Sequence, residues 1–320
     1  MIRLGAMGDI LHALPAVHSL KQSFPDKRIA WLVASRWVPL LEGNPVIDEL
    51  IPFQRRGPAS VAITWRRLRH MRPGLAIDFQ GLLQSALMGR MAKPKRFLGF
   101  DRSVARESVA AAFYTKPVPV SGPHRIERNL QLARAAGAKN LTDEIWIPQG
   151  QAEAHLPDKP FVLASPFAGW GSKQWPLAHY EELGKRLERH DWTLVLNVSK
   201  ERAGELRGIK NAHVHVSQLP GLIDATRRAG AVVGVDSGPL HLAAVLKKPG
   251  VALFGQTDPA QTGPYQSAIR VIRQVDVEST YKRGDKIHPS MAAISPDDVS
   301  AALLASLADC KIQLAPAVRL

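Results

Sequence analysis

Short apolar runs alternate with amphipathic stretches along most of the chain, and the alternation lays out a series of strands and helices. Met1-Ile2-Arg3-Leu4 reads as the end of a strand and Gly5-Ala6-Met7-Gly8-Asp9 as a glycine-bearing turn. From Ile10 an amphipathic helix runs to Gln22, bent or restarted at Pro15. Arg28 to Val33, Val46 to Phe53, Leu75 to Phe79 and Arg96 to Phe100 read as strands. Helices are expected through Trp65 to Arg72, from about Gly81 onward, and over Ile126 to Ala136, with Arg102 to Thr115 irregular to helical.

Between Pro148 and Pro160 the pattern lapses into Pro, Gln, Ala and Asp with no apolar period. It then begins again with strands at 161–164, 192–196, 213–216, 231–235 and 250–255. Helices are expected at 178–189, around 201–207, and at 222–229 and 241–246. Residues 270–292 read as basic and irregular, and Ser295-Pro296 opens a last helix as N-cap and first helical position. Strand and helix alternating in this way implies parallel sheets covered by helices. The expected fold class is α/β, with two Rossmann-like, doubly wound domains over residues 1–155 and 156–320.

Composition narrows the functional class. An apolar share of 45% with 22% charged residues describes a soluble globular protein, and no window carries the run of roughly 18 apolar residues that a membrane helix needs. Arg3 and Asp9 interrupt the apolar residues at the start, which is not the pattern of a secretory signal. The single cysteine, Cys310, has no partner for an internal disulfide, in keeping with a reducing cytoplasm. A net charge of +14 calls for an anionic partner: nucleic acid, phosphorylated lipid or the cytoplasmic leaflet. Aromatic residues are only 6% of the chain and are not interleaved with basic ones as a base-stacking platform needs, so no nucleic acid is expected.

Several chemistries lack their residues. No Gly-x-Gly-x-x-Gly follows the first strand, and neither a phosphate-binding Gly-x-x-x-x-Gly-Lys-Ser/Thr nor a nucleophilic Gly-x-Ser-x-Gly occurs. The histidines show no metal-ligand spacing, so no metal site is expected. Three stretches remain. Asp9 stands where a strand hands over to a helix, a position that suits either a helix cap or a carboxylate base facing the carboxyl edge of a sheet. Asp236-Ser237-Gly238-Pro239-Leu240-His241 follows a fully apolar strand. It reads either as an ordinary capped turn or as an anion site built from backbone N–H groups at a helix start. Gly169 to Lys173 forms a loop with one lysine, either solvated or a point charge for a phosphate, beside Trp175 and Pro176.

Five stretches occur in an order that resembles a known family: Leu4 to Pro15, Asp78 to Ala86, Ser172 to Pro176, Val235 to Ala244 and Phe254 to Pro259. The chain is similar to the bacterial lipopolysaccharide heptosyltransferases of glycosyltransferase family nine, and its first two motifs resemble those of the type I members. The resemblance implies a GT-B fold, with two Rossmann-like domains facing a central cleft, the acceptor on the N-terminal domain and the nucleotide sugar on the C-terminal one. It implies inverting transfer of heptose from ADP-L-glycero-D-manno-heptose to the Kdo of Kdo-lipid A, with no cofactor beyond the donor.

On this resemblance Asp9 is the catalytic base. Lys173, Gly169, Glu201, Asp236, Ser237, Gly238 and His241 bind the donor, and Arg55, Arg56, Arg106 and Arg128 hold the acid groups of the acceptor. Taken by themselves, these arginines read equally as a solvated basic face. The family also implies a protein at the cytoplasmic face of the inner membrane, held peripherally, and the basic surplus agrees: each basic residue near an anionic leaflet contributes about 1 kcal/mol. The opening strand looks short for the family, and Ser290 stands where many members carry cysteine. Another donor or acceptor within the family is the alternative reading, and a basic binding protein without catalysis the distant one.

Overall fold

The computed structural model describes residues 1–54, 57–274 and 277–314. The chain forms two compact units, Met1–Pro148 and Gln149–Leu320. Residues just after Pro148 already pack on the second unit: Gln151 N–H donates to the Pro220 carbonyl (3.1 Å), and Glu153 accepts the N–H groups of Gln218 (2.6 Å) and Gly221 (3.1 Å).

The first unit contains α1 (Met7–Ser23), β1 (Ala30–Ala34), β2 (Glu49–Phe53), α2 (Gly57–Met71), β3 (Leu75–Asp78), α3 (Leu83–Met91), β4 (Arg96–Phe100), a 3-10 turn (Ser108–Phe113), β5 (Lys116–Val118) and α4 (Arg125–Ala136). Strands β1 and β2 pair in parallel, as do β3, β4 and β5. The two groups are joined by the opening residues, because Ile2 bridges Leu32 of β1 on one side and Asp78 of β3 on the other, both in parallel. Ile2 N–H donates to Ile77 (2.9 Å), Phe79 N–H to Ile2 (3.1 Å) and Leu32 N–H to Met1 (2.9 Å). The spatial order is therefore β2, β1, opening segment, β3, β4, β5, the doubly wound order with the opening segment at its centre.

Helix α1 packs on this sheet and is apolar nearly all round, as a central buried helix must be. Ile10, Leu11, Leu14 and Val17 are fully buried, and the helix runs as one element with Pro15 inside it. A knot of buried polar groups ties the opening segment to β3. Asp78 accepts hydrogen bonds from Ser85 Oγ (2.7 Å), Tyr114 Oη (2.8 Å) and the Gln80 N–H (2.8 Å), while Gln80 Oε1 accepts the N–H of Leu4 (2.7 Å). Burial pushes the Asp78 carboxyl upward, against the pull of these donors. Gly81, at φ +68°, lets the chain turn beneath Ala105 and Arg106, whose backbone lies 3.3 Å from where a Cβ would stand.

The second unit contains β6 (Phe161–Ser165), α5 (Leu177–Glu188), β7 (Thr193–Val198), β8 (His213–Val216), α6 (Leu219–Arg228), β9 (Ala231–Val235), α7 (Gly238–Val245), β10 (Gly250–Phe254), α8 (Pro259–Thr262), β11 (Ile269–Arg273), α9 (Pro289–Ala292) and α10 (Pro296–Leu314). Its sheet has the order β11-β10-β9-β6-β7-β8, parallel throughout. This is again the doubly wound order, with its reversal between β6 and β9. The core closes over the sheet with Trp175, Tyr180, Leu183, Leu187 and the α10 residues Val299 and Leu303.

Three local expectations are corrected and one edge strand, Lys116 to Val118, is added. Ile269 to Arg273 forms a further edge strand at the start of a stretch that reads as irregular; its Ile-Arg-Val-Ile-Arg sequence has no two-residue period, with Val271 exposed and Ile272 packed against the core. Residues Lys200–Leu206 form a 3-10 turn rather than an α-helix, and α7 begins at Gly238, three residues before His241.

The Gln80 contact makes the centre of the first sheet dependent on one side chain. Replacing it by leucine (Gln80→Leu) strands the buried N–H of Leu4, and is expected to lower stability by about 1–3 kcal/mol in urea unfolding monitored by circular dichroism.

Candidate active site

In the first unit the reversal of strand order lies between the opening segment and β3, and the loops leaving these two strands carry the candidate base. Asp9 occupies the first turn of α1, where its carboxylate accepts the N–H of Ala6 (3.2 Å). The capping contact is thus present, and the same carboxylate is the centre of a cluster of guanidiniums. Gly5 is required nearby, because a Cβ there would meet the Trp37 indole at 2.7 Å.

Three guanidiniums converge on Asp9. Arg3 Nη2 lies 2.6 Å from Oδ2, Arg106 Nη1 lies 3.6 Å from the same oxygen, and Arg125 Nη1 donates to Oδ1. Arg3 is buried and also donates to the carbonyl of Phe79, so it fixes Asp9 relative to the end of β3. Burial works against charge on Asp9, yet Arg3, Arg125, Arg106 and His12 outweigh it and hold the carboxyl well below the usual carboxylate range. Side-chain exposure separates the three: Arg3 is 6% accessible, Arg125 31% and Arg106 47%, so the last two are open to exchange with an incoming anion.

The arginine expectations divide. Arg106 stands at the site as expected. Arg128 does not reach Asp9; its Nε donates to the Gly122 carbonyl (2.8 Å). Arg125, one helical turn earlier in α4, takes that place, just after His124, whose Nδ1 accepts the N–H of Ile126 at the helix start (3.2 Å). Arg55 and Arg56 lie outside the described residues.

In the second unit the loops leaving β6 and β9, the two strands at its own reversal, bring Lys173 and Asp236 together. Lys173 Nζ donates to Asp236 Oδ2 (2.5 Å), His241 Nε2 stands 3.5 Å from Oδ1, and Thr262 Oγ1 donates to Oδ1 (3.3 Å). Asp236 is nearly inaccessible. Burial raises its carboxyl, but His241 and Lys173 more than offset this and draw it below the usual range.

Ser237 is the N-cap residue of α7 and Gly238 its first helical residue. Among the described residues the buried Ser237 Oγ has no hydrogen-bond partner. A buried hydroxyl at a helix start suits an anionic oxygen. Gly169 lies on the open edge of its loop, with no atom within 4 Å of where a Cβ would stand. Glu201 is exposed on its 3-10 turn; the Ser199 hydroxyl lowers its carboxyl, and it makes no contact with Lys173 or Asp236 among the described residues.

Sequence reasoning missed Arg3, Arg125, Gln80 and Trp170. The Trp170 ring lies 4.3 Å from Lys173 Nζ and 5.6 Å from the Arg283 guanidinium, a flat apolar face framed by two cations. Arg125 and Gln80 act through partners distant in sequence, Asp9 and Leu4, and no single residue type or spacing marks Arg3 or Trp170. Among the described residues no three His, Cys, Asp or Glu side chains gather as metal ligands would.

Comparison with known proteins bears on these sites. The sequence model of glycosyltransferase family 9 (heptosyltransferase) matches residues 61–289, the span that holds Lys173, Asp236 and His241. A lipopolysaccharide heptosyltransferase 1 of Pseudomonas aeruginosa is 32% identical over 285 residues, 83% of this chain and 80% of the relative. An Escherichia coli ADP-heptose LPS heptosyltransferase II structure superposes with a TM-score of 0.78 at 24% identity, covering 97% of this chain and 98% of the other. An Escherichia coli heptosyltransferase solved with ADP gives 0.76 at 23% identity, over 94% and 97%. These two likenesses show the fold, that of the GT-B heptosyltransferases.

The charge arrangement around Asp9 has a measurable cost when broken. Asp9→Asn leaves the buried Arg3 without its counter-charge and is expected to lose about 3–5 kcal/mol of stability at pH 7. The Asp9 carboxyl is depressed in the folded protein, so its contribution is complete above about pH 4 and fades as pH falls below that. The gap between wild type and Asp9→Asn in urea unfolding should therefore narrow from pH 7 to pH 3.5.

Proposed function

The chain belongs to glycosyltransferase family 9, the heptosyltransferase family, and from that premise we propose that it moves L-glycero-D-manno-heptose from ADP-heptose to the Kdo of Kdo-lipid A in lipopolysaccharide inner-core synthesis. The observation that carries this reading is the buried, ionised Asp9 at a helix start, touched by guanidiniums of which two are exposed enough to meet an anionic acceptor.

The proposed reaction is an inverting displacement. The acceptor hydroxyl gives its proton to Asp9 as its oxygen bonds to the anomeric carbon, and the bond from that carbon to the phosphate oxygen breaks. ADP leaves with the electron pair. Lys173, the Ser237 hydroxyl and the N–H groups at the start of α7 are the donors that meet the charge growing on its phosphate. Asp236 orients this group by holding Lys173, with His241 and Thr262 on its other oxygen.

The carboxylate of Asp9 is always in the proton-accepting form, but its three arginines make it a weak base. An acceptor bearing acid groups competes for Arg106 and Arg125. It leaves the buried Arg3 as the fixed partner, and basicity returns to Asp9 when the hydroxyl is in place. The reading thus joins acceptor charge to the chemistry, and it requires no cofactor beyond the donor.

We assign the working place of the protein to the cytoplasmic face of the inner membrane, held there peripherally. The lipid nature of the acceptor and the net charge of +14 support this. Among the described residues no helix is long and apolar enough to cross a membrane.

Purified protein incubated with ADP-heptose and Kdo-lipid A in detergent should release ADP and extend the acceptor, as read by mass spectrometry. Asp9→Ala should lower kcat by about 100-fold to 10,000-fold, whereas Lys173→Gln should also raise the KM for the donor. Indistinguishable rates for wild type and Asp9→Ala would overturn the reading. An acceptor already carrying heptose, used more readily than Kdo-lipid A, would reassign the enzyme to another step of the same family.

A further inference from the structure

The positive charge of the chain is not evenly spread. Residues 1–148 hold 22 Lys and Arg against 11 Asp and Glu, whereas residues 149–320 hold 20 against 17. Within the first unit, residues 51–100 carry ten basic side chains and one acidic one. That one is Asp78, which is fully buried and hydrogen-bonded, so it neutralises nothing at the surface.

The same stretch exposes apolar side chains. Among the described residues, the large exposed hydrophobics of the first unit are Val61, Ile63 and Trp65 on α2, Leu87 on α3 and Val109 in the 3-10 turn Ser108–Phe113. Ile63 is 68% exposed and Val109 48%. These three elements are neighbours: α2 packs on α3, and α3 on the turn. Helix α2 itself contains no acidic residue, buries Thr64 and Leu68 toward the unit, and presents Arg66, Arg67 and Arg69 to solvent. The Arg69 guanidinium lies over the Trp65 ring at 5.2 Å. Arg67 is tied to Glu49 (2.6 Å), so Arg66 and Arg69 carry the outward charge.

We propose that the face made by α2, α3 and the 3-10 turn docks the protein on an anionic lipid bilayer. Arg66 and Arg69, on the outward arc of α2, lie on headgroup phosphates, and Ile63 and Trp65, two residues apart and so on opposite flanks of that arc, border it with apolar contacts to the interfacial layer. The proposal rests on the reading of a lipid-linked acceptor and names where the protein meets the lipid. Charge complementarity selects the partner: the acids at this face are Glu49, paired with Arg67, and Glu107, which accepts the Leu83 N–H, and a surface in which cations prevail over these has its match in a sheet of phosphates. The apolar members select a bilayer over nucleic acid, whose backbone offers nothing for Ile63 and Val109 to bury against. Tryptophan and arginine side by side are the residues that settle at a membrane interface.

Sedimentation with vesicles tests this. Wild type should bind vesicles of phosphatidylethanolamine and phosphatidylglycerol, weaken as salt rises, and bind pure phosphatidylcholine poorly. The pairs Ile63→Ser with Trp65→Ser, and Arg66→Gln with Arg69→Gln, should each lower vesicle affinity about tenfold or more. Transfer to detergent-dispersed Kdo-lipid A should stay unchanged in both, while transfer to the same acceptor in anionic vesicles falls. The arginine pair lies on the exposed arc of α2, so it keeps its fold and tests the face even where the apolar pair loses stability. Wild type that fails to bind anionic vesicles, paired variants that bind like wild type, or a preference for duplex DNA over vesicles would each overturn the proposal. An absence of transfer in detergent would instead overturn the enzyme reading, since that measurement involves no bilayer.

Discussion

The arrangement of the first unit hangs on one buried guanidinium. Arg3 sits in the central segment of the sheet, donates to the carbonyl of Phe79 at the end of β3, and holds the carboxylate of Asp9 at the start of α1. An arginine in that position is costly to bury, and it persists because its donors are taken up by a backbone carbonyl and a carboxylate. The consequence is positional: the end of β3 and the first turn of α1 are fixed to each other through one side chain. Gln80 completes the link by accepting the N–H of Leu4, so the Asp-Phe-Gln-Gly stretch helps hold the central segment in place. Its neighbour Asp78 explains why this stretch tolerates burial, since every donor around it finds the same carboxylate.

The second unit solves the same problem with fewer cations around its carboxylate. Asp9 is outnumbered by cations and carries a local surplus of positive charge, which suits the recognition of acids. Asp236 faces one lysine, with a histidine and a threonine hydroxyl, so its group is close to neutral and serves to aim Lys173. Both carboxylates stand at the carboxyl ends of strands where the winding order reverses, the place where an open parallel sheet leaves a crevice. The topology therefore puts a charged, partly dry site in each unit before any particular side chain is chosen, and the side chains then differentiate the two.

Much of this was legible in the chain, for identifiable reasons. Ala231 to Val235 is an unbroken apolar run because the strand is covered on both faces, and its limits were read to the residue. Arg96 to Phe100 and His213 to Val216 were equally sharp. The missed strands are both edges: β5 is three residues long, and β11 mixes Ile, Val and Arg without a two-residue period, so neither carries the pattern of a half-buried strand. Asp9, Lys173 and Asp236 stand in loops after strands, where the sequence left each open between a cap or solvated role and a site; the structure adds that each lies in a charged cluster. The residues that reach in from elsewhere carry no such positional mark. Arg125 and Arg128 are one turn apart on α4, and only the packing of that helix on α1 decides that the first meets Asp9 while the second turns to Gly122. Arg3 looks like an interruption in a strand until its partners are known.

Charge and position together explain why so basic a chain should be an enzyme rather than a general anion binder. A protein that merely binds polyanions gains from every exposed cation and has no use for a buried carboxylate among its arginines. Here three cations of the basic unit converge on Asp9, where each lowers its basicity, and one of them, Arg3, is buried away from any surface field. Such a cluster is unfavourable for a base acting on a neutral alcohol. It becomes useful when the alcohol belongs to an acid, because the same groups that restrain Asp9 in the free protein then have something better to hold. In the proposed reaction the two more exposed arginines are the ones that turn to the acid, and the buried one, pinned by Phe79, keeps the carboxylate in place. On that reading the division of burial among three like charges makes binding the acceptor and readying the base one event.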